Sequence, residues 1–172
     1  MAELIGTSDK EGATEMFDRA LKKYKYSKKV WSAYIGFRLL CGDYNEAKSL
    51  LSRSLLSLSR HKHCEVIQRY ALGEFEVGSP DRARVVFESL LSSYPQRIDL
   101  WHVYIDKEIK LKDFDKARAI FDRLITLKTT SIKLKNIFKK YLNFEMNYGN
   151  ATSQEIVKQK AREYVASILQ SN

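Results

Sequence analysis

Only one group of residues in this 172-residue chain resembles a metal-ligand cluster: His61-x-His63-Cys64. Structural zinc sites take four ligands at paired spacings, and no second Cys/His pair follows here. The spacing also scatters the three side chains around a helix start instead of setting two on one face. No metal is expected. The seven glycines are dispersed and build no phosphate-cradling loop. Carboxylates are plentiful, but those that recur in register are explained by helix capping or by ties to arginines. The sequence therefore predicts no catalytic residue, no cofactor and no small-molecule substrate.

What remains is charge. Thirty Lys and Arg against twenty-one Asp and Glu give a net charge of +9 and a pI near 9.5. The cations gather in short segments: Lys25, Lys28 and Lys29; Arg60 and Lys62; Arg97; and Lys128, Lys133 and Lys135, continuing into Lys139 and Lys140. The acids gather elsewhere, at Asp43, Glu46, Asp81, Asp113 and Asp115. A basic stripe of this kind holds phosphate backbones by charge rather than by base readout, or it serves a protein partner. Acids at helix starts and bases at helix ends are favoured by about 0.3–1 kcal/mol apiece, which covers part of the pattern. It does not cover Lys133, Lys135, Lys139 and Lys140, which fall at or inside a helix start, where cations are disfavoured. No aromatic platform for a single strand is expected, because the aromatics are assigned to core columns. His102 is expected at the surface or against a partner.

The elements that must position these segments come from an internal repeat. With Trp31 at offset 0, further copies begin at Ile67, Trp101 and Phe138, spaced by 36, 34 and 37 residues. Offset +3 reads Tyr34, Tyr70, Tyr104, Tyr141, and offset +7 reads Arg38, Glu74, Glu108, Glu145. Offset +16 reads Ala47, Ala83, Ala117, followed at +20 by Leu51, Phe87, Phe121. Ala13, Phe17 and Leu21 repeat the second half of this pattern at the start of the chain. Ala161, Val165 and Leu169 repeat it at the end, after a seven-residue insertion. These stripes have the helical period. Gly42-Asp43, Gly78-Ser79-Pro80 and Lys112-Asp113 supply stops, N-caps and a proline suited to a first helical position, and Pro95 ends a second helix. Asp43 with Glu46, and Ser8 with Glu11, have capping-box spacing.

Nine helices are predicted: a half-repeat over 9–26 and helix pairs over 29–60, 63–94, 98–129 and 132–170. An array that opens on a half-repeat would expose an apolar face, so the chain is expected to be a piece of a longer protein. Folding each pair at +12 brings +7 near +17, which predicts ties Glu74–Arg84, Glu108–Arg118 and, across the insertion, Glu145–Arg162. Arg38 and Lys48 leave the first pair without one. Two prolines and few glycines argue against a β-sandwich or barrel. No apolar run reaches the ~18–20 residues of a membrane span, and the N-terminus lacks a signal-peptide core. Two cysteines, Cys41 and Cys64, suit a reducing compartment.

The columns resemble HAT (half-a-TPR) repeats, whose first helix reads Trp-x-x-Tyr-x-x-x-Glu and whose second reads Ala-Arg-x-x-Phe-(Glu/Asp)-x-x-Leu. Ordinary tetratricopeptide repeats share Ala at +16 but carry Tyr at +7, where this chain has Glu three times. The resemblance implies an all-α fold, an α-α superhelix (solenoid) of antiparallel helix pairs, used as a scaffold in RNA-processing machinery. Phe75-Glu-Val-Gly-Ser-Pro-Asp-Arg-Ala-Arg84, Pro95-Gln-Arg-Ile-Asp-Leu-Trp-His-Val-Tyr104 and Ala161-Arg-Glu-Tyr-Val-Ala166 are similar to one branch of that family. Its members are nucleolar pre-rRNA processing factors that carry an array of S1 RNA-binding domains before HAT repeats. That likeness implies partners among other ribosome-assembly proteins, contact with pre-rRNA either here or through S1 domains outside this chain, and no membrane. The alternatives are a solenoid that binds RNA directly and an adaptor of a splicing or mRNA 3′-end complex.

Overall fold

The computed structural model describes residues 7–170, and among them every regular element is helical. The chain divides into two compact units, residues 1–95 and 96–172. The first holds α1 (Thr7–Lys23), α2 (Lys28–Leu40), α3 (Tyr44–Ser57), a 3₁₀ turn (Arg60–Lys62), α4 (His63–Val77) and α5 (Pro80–Ser93). The second holds α6 (Ile98–Lys110), α7 (Phe114–Ile125), α8 (Ser131–Tyr148) and α9 (Ala151–Gln170).

The turns inside pairs follow from local chemistry. Gly42 sits at φ 75° and Lys112, in the same repeat column, at φ 61°. In each, the following Asp N–H reaches back to the carbonyl of Arg38 or Glu108, a Schellman closure that satisfies the last helix carbonyls. Pro80 opens α5 at its first turn, where the lost N–H has no partner to miss. Asp113 accepts from the Lys116 N–H and Thr130 from that of Lys133, as N-caps. Asp43 does not cap with its side chain. Its carboxylate is taken instead by Lys10 at 2.8 Å and Arg38 at 3.1 Å, correcting the expected box with Glu46. The Ser8–Glu11 box falls on a side chain outside the described residues. The insertion carries a helix start that the sequence reading missed: Asn150 and Ser153 exchange backbone and side-chain hydrogen bonds at the head of α9.

In the first unit Trp31, Tyr34, Tyr70 and Phe87 are buried, with Ala47 and Ala83 sealed at the helix contacts. In the second, Trp101, Tyr104, Phe121, Tyr141 and Ala117 do the same. Two of the aromatics at +20 stack on the tyrosine at +3 of the following helix pair. Phe17 lies on Tyr34 with centroids 4.8 Å apart, and Phe121 on Tyr141 at 4.5 Å, both near parallel. Phe138 is only half-buried, and Ile137 and Leu134 take the interior of α8. Val165 is 54% exposed, against the expected core column, and among the described side chains of α9 the buried one is Val157. The insertion shifts the apolar register of this last helix, leaving Ala161 half-buried. Leu169 lies outside the described side chains.

The predicted ties are redrawn. Glu74, Glu108 and Glu145 are all buried. Glu74, however, accepts from the Tyr70 hydroxyl at 2.7 Å, the Ser79 N–H and the Arg82 guanidinium at 3.0 Å, while Arg84 bonds Asp81. Arg118 does not meet Glu108. It forms a two-pronged bond with Glu145, Nε to Oε1 at 2.8 Å and Nη2 to Oε2 at 3.2 Å, and also holds Asp115. Arg162 bonds Glu155 on its own helix. The reason is geometric: α8 lies between α7 and α9, and its glutamate faces back towards the preceding pair. Arg38, at the glutamate position of the first pair, bonds Asp43 and the Tyr34 hydroxyl.

Candidate functional site

The expected basic residues lie in the links between helix pairs and in the helices that follow them; Lys139 and Lys140 sit in the third turn of α8, beyond the helix start expected for them. In the first unit, two links are drawn together. Lys28 pairs with Glu65, and the Lys62 ammonium donates to the Tyr26 carbonyl at 3.0 Å. The Trp31 indole N–H donates to the Lys25 carbonyl at 2.8 Å. Lys25, Lys29 and Arg60 are exposed and make no ion pair among the described residues.

In the second unit, Arg97 is neutralised by Asp99 at 2.8 Å and Lys140 by Asp106 at 2.9 Å. Lys128, Lys133, Lys135 and Lys139 are exposed without an ion pair among the described residues. Lys139 and Lys140 border a shallow depression with Asn136, Asn143 and Met146. Of the acids at the inside turns, Asp43, Asp81, Asp113 and Asp115 have cationic partners. The contrast is one of availability: most of the acids are spent locally, and more than half of the cations are not.

The titration shifts mark ties, not a reactive cleft. Lys28 holds the Glu65 carboxyl below its ordinary value, and Arg97 does the same for Asp99. Burial, reinforced by Glu74, pushes the Tyr70 phenol up; burial and Asp122 do so for Tyr141. The bond to Glu145 raises Arg118. His102 is half-buried rather than at the surface, and its Nε2 is sealed without a hydrogen-bond partner. Burial and the Lys140 ammonium hold it below the usual imidazole value. His63 bonds the Leu58 carbonyl at 2.8 Å, across the link that precedes α4. Among the described residues, no three His, Cys, Asp or Glu side chains converge as a metal site. No described helix is long and apolar enough to cross a membrane.

One expectation fails in an informative way. Not all aromatics belong to core columns: Tyr24 and Tyr26, in the α1–α2 link, are 51% and 65% exposed. The signal was present as Lys22-Lys23-Tyr24-Lys25-Tyr26-Ser27-Lys28-Lys29, tyrosines alternating with lysines away from offset +3. An open groove of about 630 Å³ lies beside it, bordered by Lys22, Lys25, Arg53, Trp31 and Leu56.

Comparison with known proteins bears on these helix pairs directly. The family model described as PRP39 N-terminal HAT repeat matches residues 61–170. The chain is 41% identical to rRNA biogenesis protein RRP5 of Arabidopsis thaliana over 157 residues, covering 91% of this chain and 8% of that protein. It is 41% identical to rRNA biogenesis protein rrp5 of Schizosaccharomyces pombe over 168 residues, 95% of this chain and 10% of that one. Protein RRP5 homolog of Homo sapiens is 37% identical over 166 residues, 96% and 9% respectively. The chain thus spans about a tenth of the length of the curated relatives it matches. Its tyrosine columns, buried glutamates and small-residue joints are those of half-a-TPR helix pairs, and the chain belongs to the HAT-repeat family.

Proposed function

We propose that this chain is a non-enzymatic interaction module of a pre-rRNA processing factor, docking other ribosome-assembly proteins in the nucleolus. The observation that carries this reading is the 41% identity to RRP5 proteins over more than nine-tenths of the chain. The geometry agrees with it: interiors are spent on helix packing, and the chemistry left at the surface is unpaired charge in the links. Lys128, Lys133, Lys135 and Lys139 are the residues of the second unit through which a partner would be held. The pre-rRNA itself is reached through these links or through domains beyond this chain. The repeat boundaries 29–60, 63–94, 98–129 and 132–170 are the proposed building blocks. The family model's PRP39 description and the similarity to pre-mRNA-splicing factors favour an adaptor of a different RNA-processing complex.

A pull-down with this chain from nuclear extract, with and without nuclease, tests the reading. Ribosome-assembly proteins should be retained after nuclease and lost with Lys133→Glu/Lys135→Glu/Lys139→Glu, whose helicity and melting stay close to the parent because all three residues are exposed. Retention of splicing components instead, or of nothing, refutes it.

A further inference from the structure

We propose that the α1–α2 link is a platform for single-stranded RNA, with Tyr24 and Tyr26 stacking on bases and Lys22, Lys23, Lys25 and Lys29 holding the flanking phosphates. The proposal deepens the reading above and rests on it for supplying RNA as the nucleic acid.

Two observations carry it together. The first is that the rings are presented on a fixed backbone. Three successive groups of the link are held from behind: the Ser27 N–H donates to the Tyr24 carbonyl at 2.9 Å, the Trp31 indole to that of Lys25, and the Lys62 ammonium to that of Tyr26. A link tied in this way loses little freedom when a ligand lands on it, and low ordering cost is what makes a preformed site bind. The rings are nevertheless in solvent, whereas the tyrosines of the +3 column are buried. The second is the charge around them. The Lys23 ammonium lies 5.4 Å from the Tyr24 ring centroid, and that of Lys25 lies 5.4 Å from the Tyr26 centroid. Lys22, Lys23, Lys25 and Lys29 have no ion pair among the described residues, and the nearby Glu65 is engaged by Lys28.

Exposed aromatics set among unpaired cations are the two components of a single-strand site: rings take base faces, and cations track the backbone. A duplex hides its base faces and gains nothing from the rings. The adjoining groove, lined by Arg53 as well as Asp18, gives the strand somewhere to continue. The other links do not repeat the arrangement. Tyr94 is half-buried beside Pro95, and neither 58–62 nor 126–130 contains a Tyr, Phe or Trp.

The test is anisotropy titration of this chain with a labelled oligouridylate of about twelve nucleotides, within the usual range of single-strand site sizes. Tyr24→Ala and Tyr26→Ala should each weaken binding by about 5- to 150-fold, the range expected for losing one base stack. Tyr24→Phe/Tyr26→Phe should bind like the parent, because the ring is kept. The salt slope should be unchanged by the tyrosine variants but should fall by about 0.7 for each of Lys23→Ala and Lys25→Ala. Circular dichroism should show all variants folded alike.

Alanine variants that bind as tightly as the parent overturn the proposal, as does a duplex that competes as well as a single strand. A parent that binds no oligonucleotide at low salt, while the tyrosine variants lose a captured protein, also overturns it and makes the link a protein-docking surface. Failure here with assembly factors still captured leaves the scaffold reading standing. Tyrosine-dependent RNA binding without capture of assembly factors removes the scaffold reading alone.

Discussion

Arg118→Leu should be among the more damaging changes available to a half-exposed residue of this chain. Its partner, the Glu145 carboxylate, is 1% exposed and receives both prongs of the guanidinium. Removing the cation strands an ionised group where water cannot compensate. Breaking a buried pair in this way costs about 3–5 kcal/mol. Arg118 is 30% exposed, so screening places the expected loss near the lower end, at about 3 kcal/mol. For a chain of this size that is a fall in melting temperature of roughly 6–12 °C. Replacing both partners, Arg118→Leu with Glu145→Leu, should recover most of the loss, because an apolar pair of similar volume leaves nothing stranded. Arg162→Leu is the control. It lies on an exposed pair with Glu155 and should change stability by no more than about 0.5 kcal/mol. Thermal and urea denaturation of the parent, the Arg118→Leu and Glu145→Leu single variants, the double variant and the Arg162→Leu control measure the coupling. A cost below about 0.5 kcal/mol for Arg118→Leu, or additive single and double variants, would refute the argument that this tie holds two helix pairs together.

Gly78→Ala should destabilise by about 1–3 kcal/mol by overpacking. An added Cβ would lie 2.1 Å from the Glu74 Oε2 that Arg82 and the Ser79 N–H hold in place, so the cost should shrink in a Glu74→Ala background when melts are compared. Asp43→Asn tests pH dependence: the bond from Lys10 first, and that from Arg38, hold the Asp43 carboxyl below its ordinary value. A depressed folded value means that its contribution is present above the unfolded value of about 4 and is lost as pH falls through the folded one. The variant should therefore be less stable than the parent at pH 7 in urea melts, with the difference closing below about pH 4; a difference independent of pH would sink the assignment.

The columns were legible because each rests on one physical rule. Trp31, Tyr34, Ala47 and their copies recur at helical period, and Gly42, Pro80 and Asp113 stop or start helices wherever they stand. The ties were harder, because the offset argument treats a first helix as facing only its own partner. In the structure that helix is also covered by the second helix before it, and the arginine arm is long enough to choose. Arg82 reaches Glu74 from a column that the repeat had not marked, and Arg118 reaches into the next pair. The links were legible as basic but not as free or spent. That Lys28 and Lys140 are neutralised while Lys128 and Lys139 are not depends on acids brought in by folding. Tyr24 and Tyr26 were overlooked because a rule that explains the column aromatics was extended to every aromatic of the chain.

The Arg118–Glu145 bond also bears on how such an array grows. A gene segment copied from the start of one Trp-led pair to its end would carry Arg118 without Glu145, and would rely on the glutamate at offset +7 of whatever pair follows it. A segment copied from the middle of one pair to the middle of the next would carry both, together with the Phe121–Tyr141 stack. At this joint the heritable cassette is out of phase with the visible hairpin, so lineages should exchange second helix plus following first helix as a block. Substitutions at 118 and 145, though 27 residues apart, should then change in step.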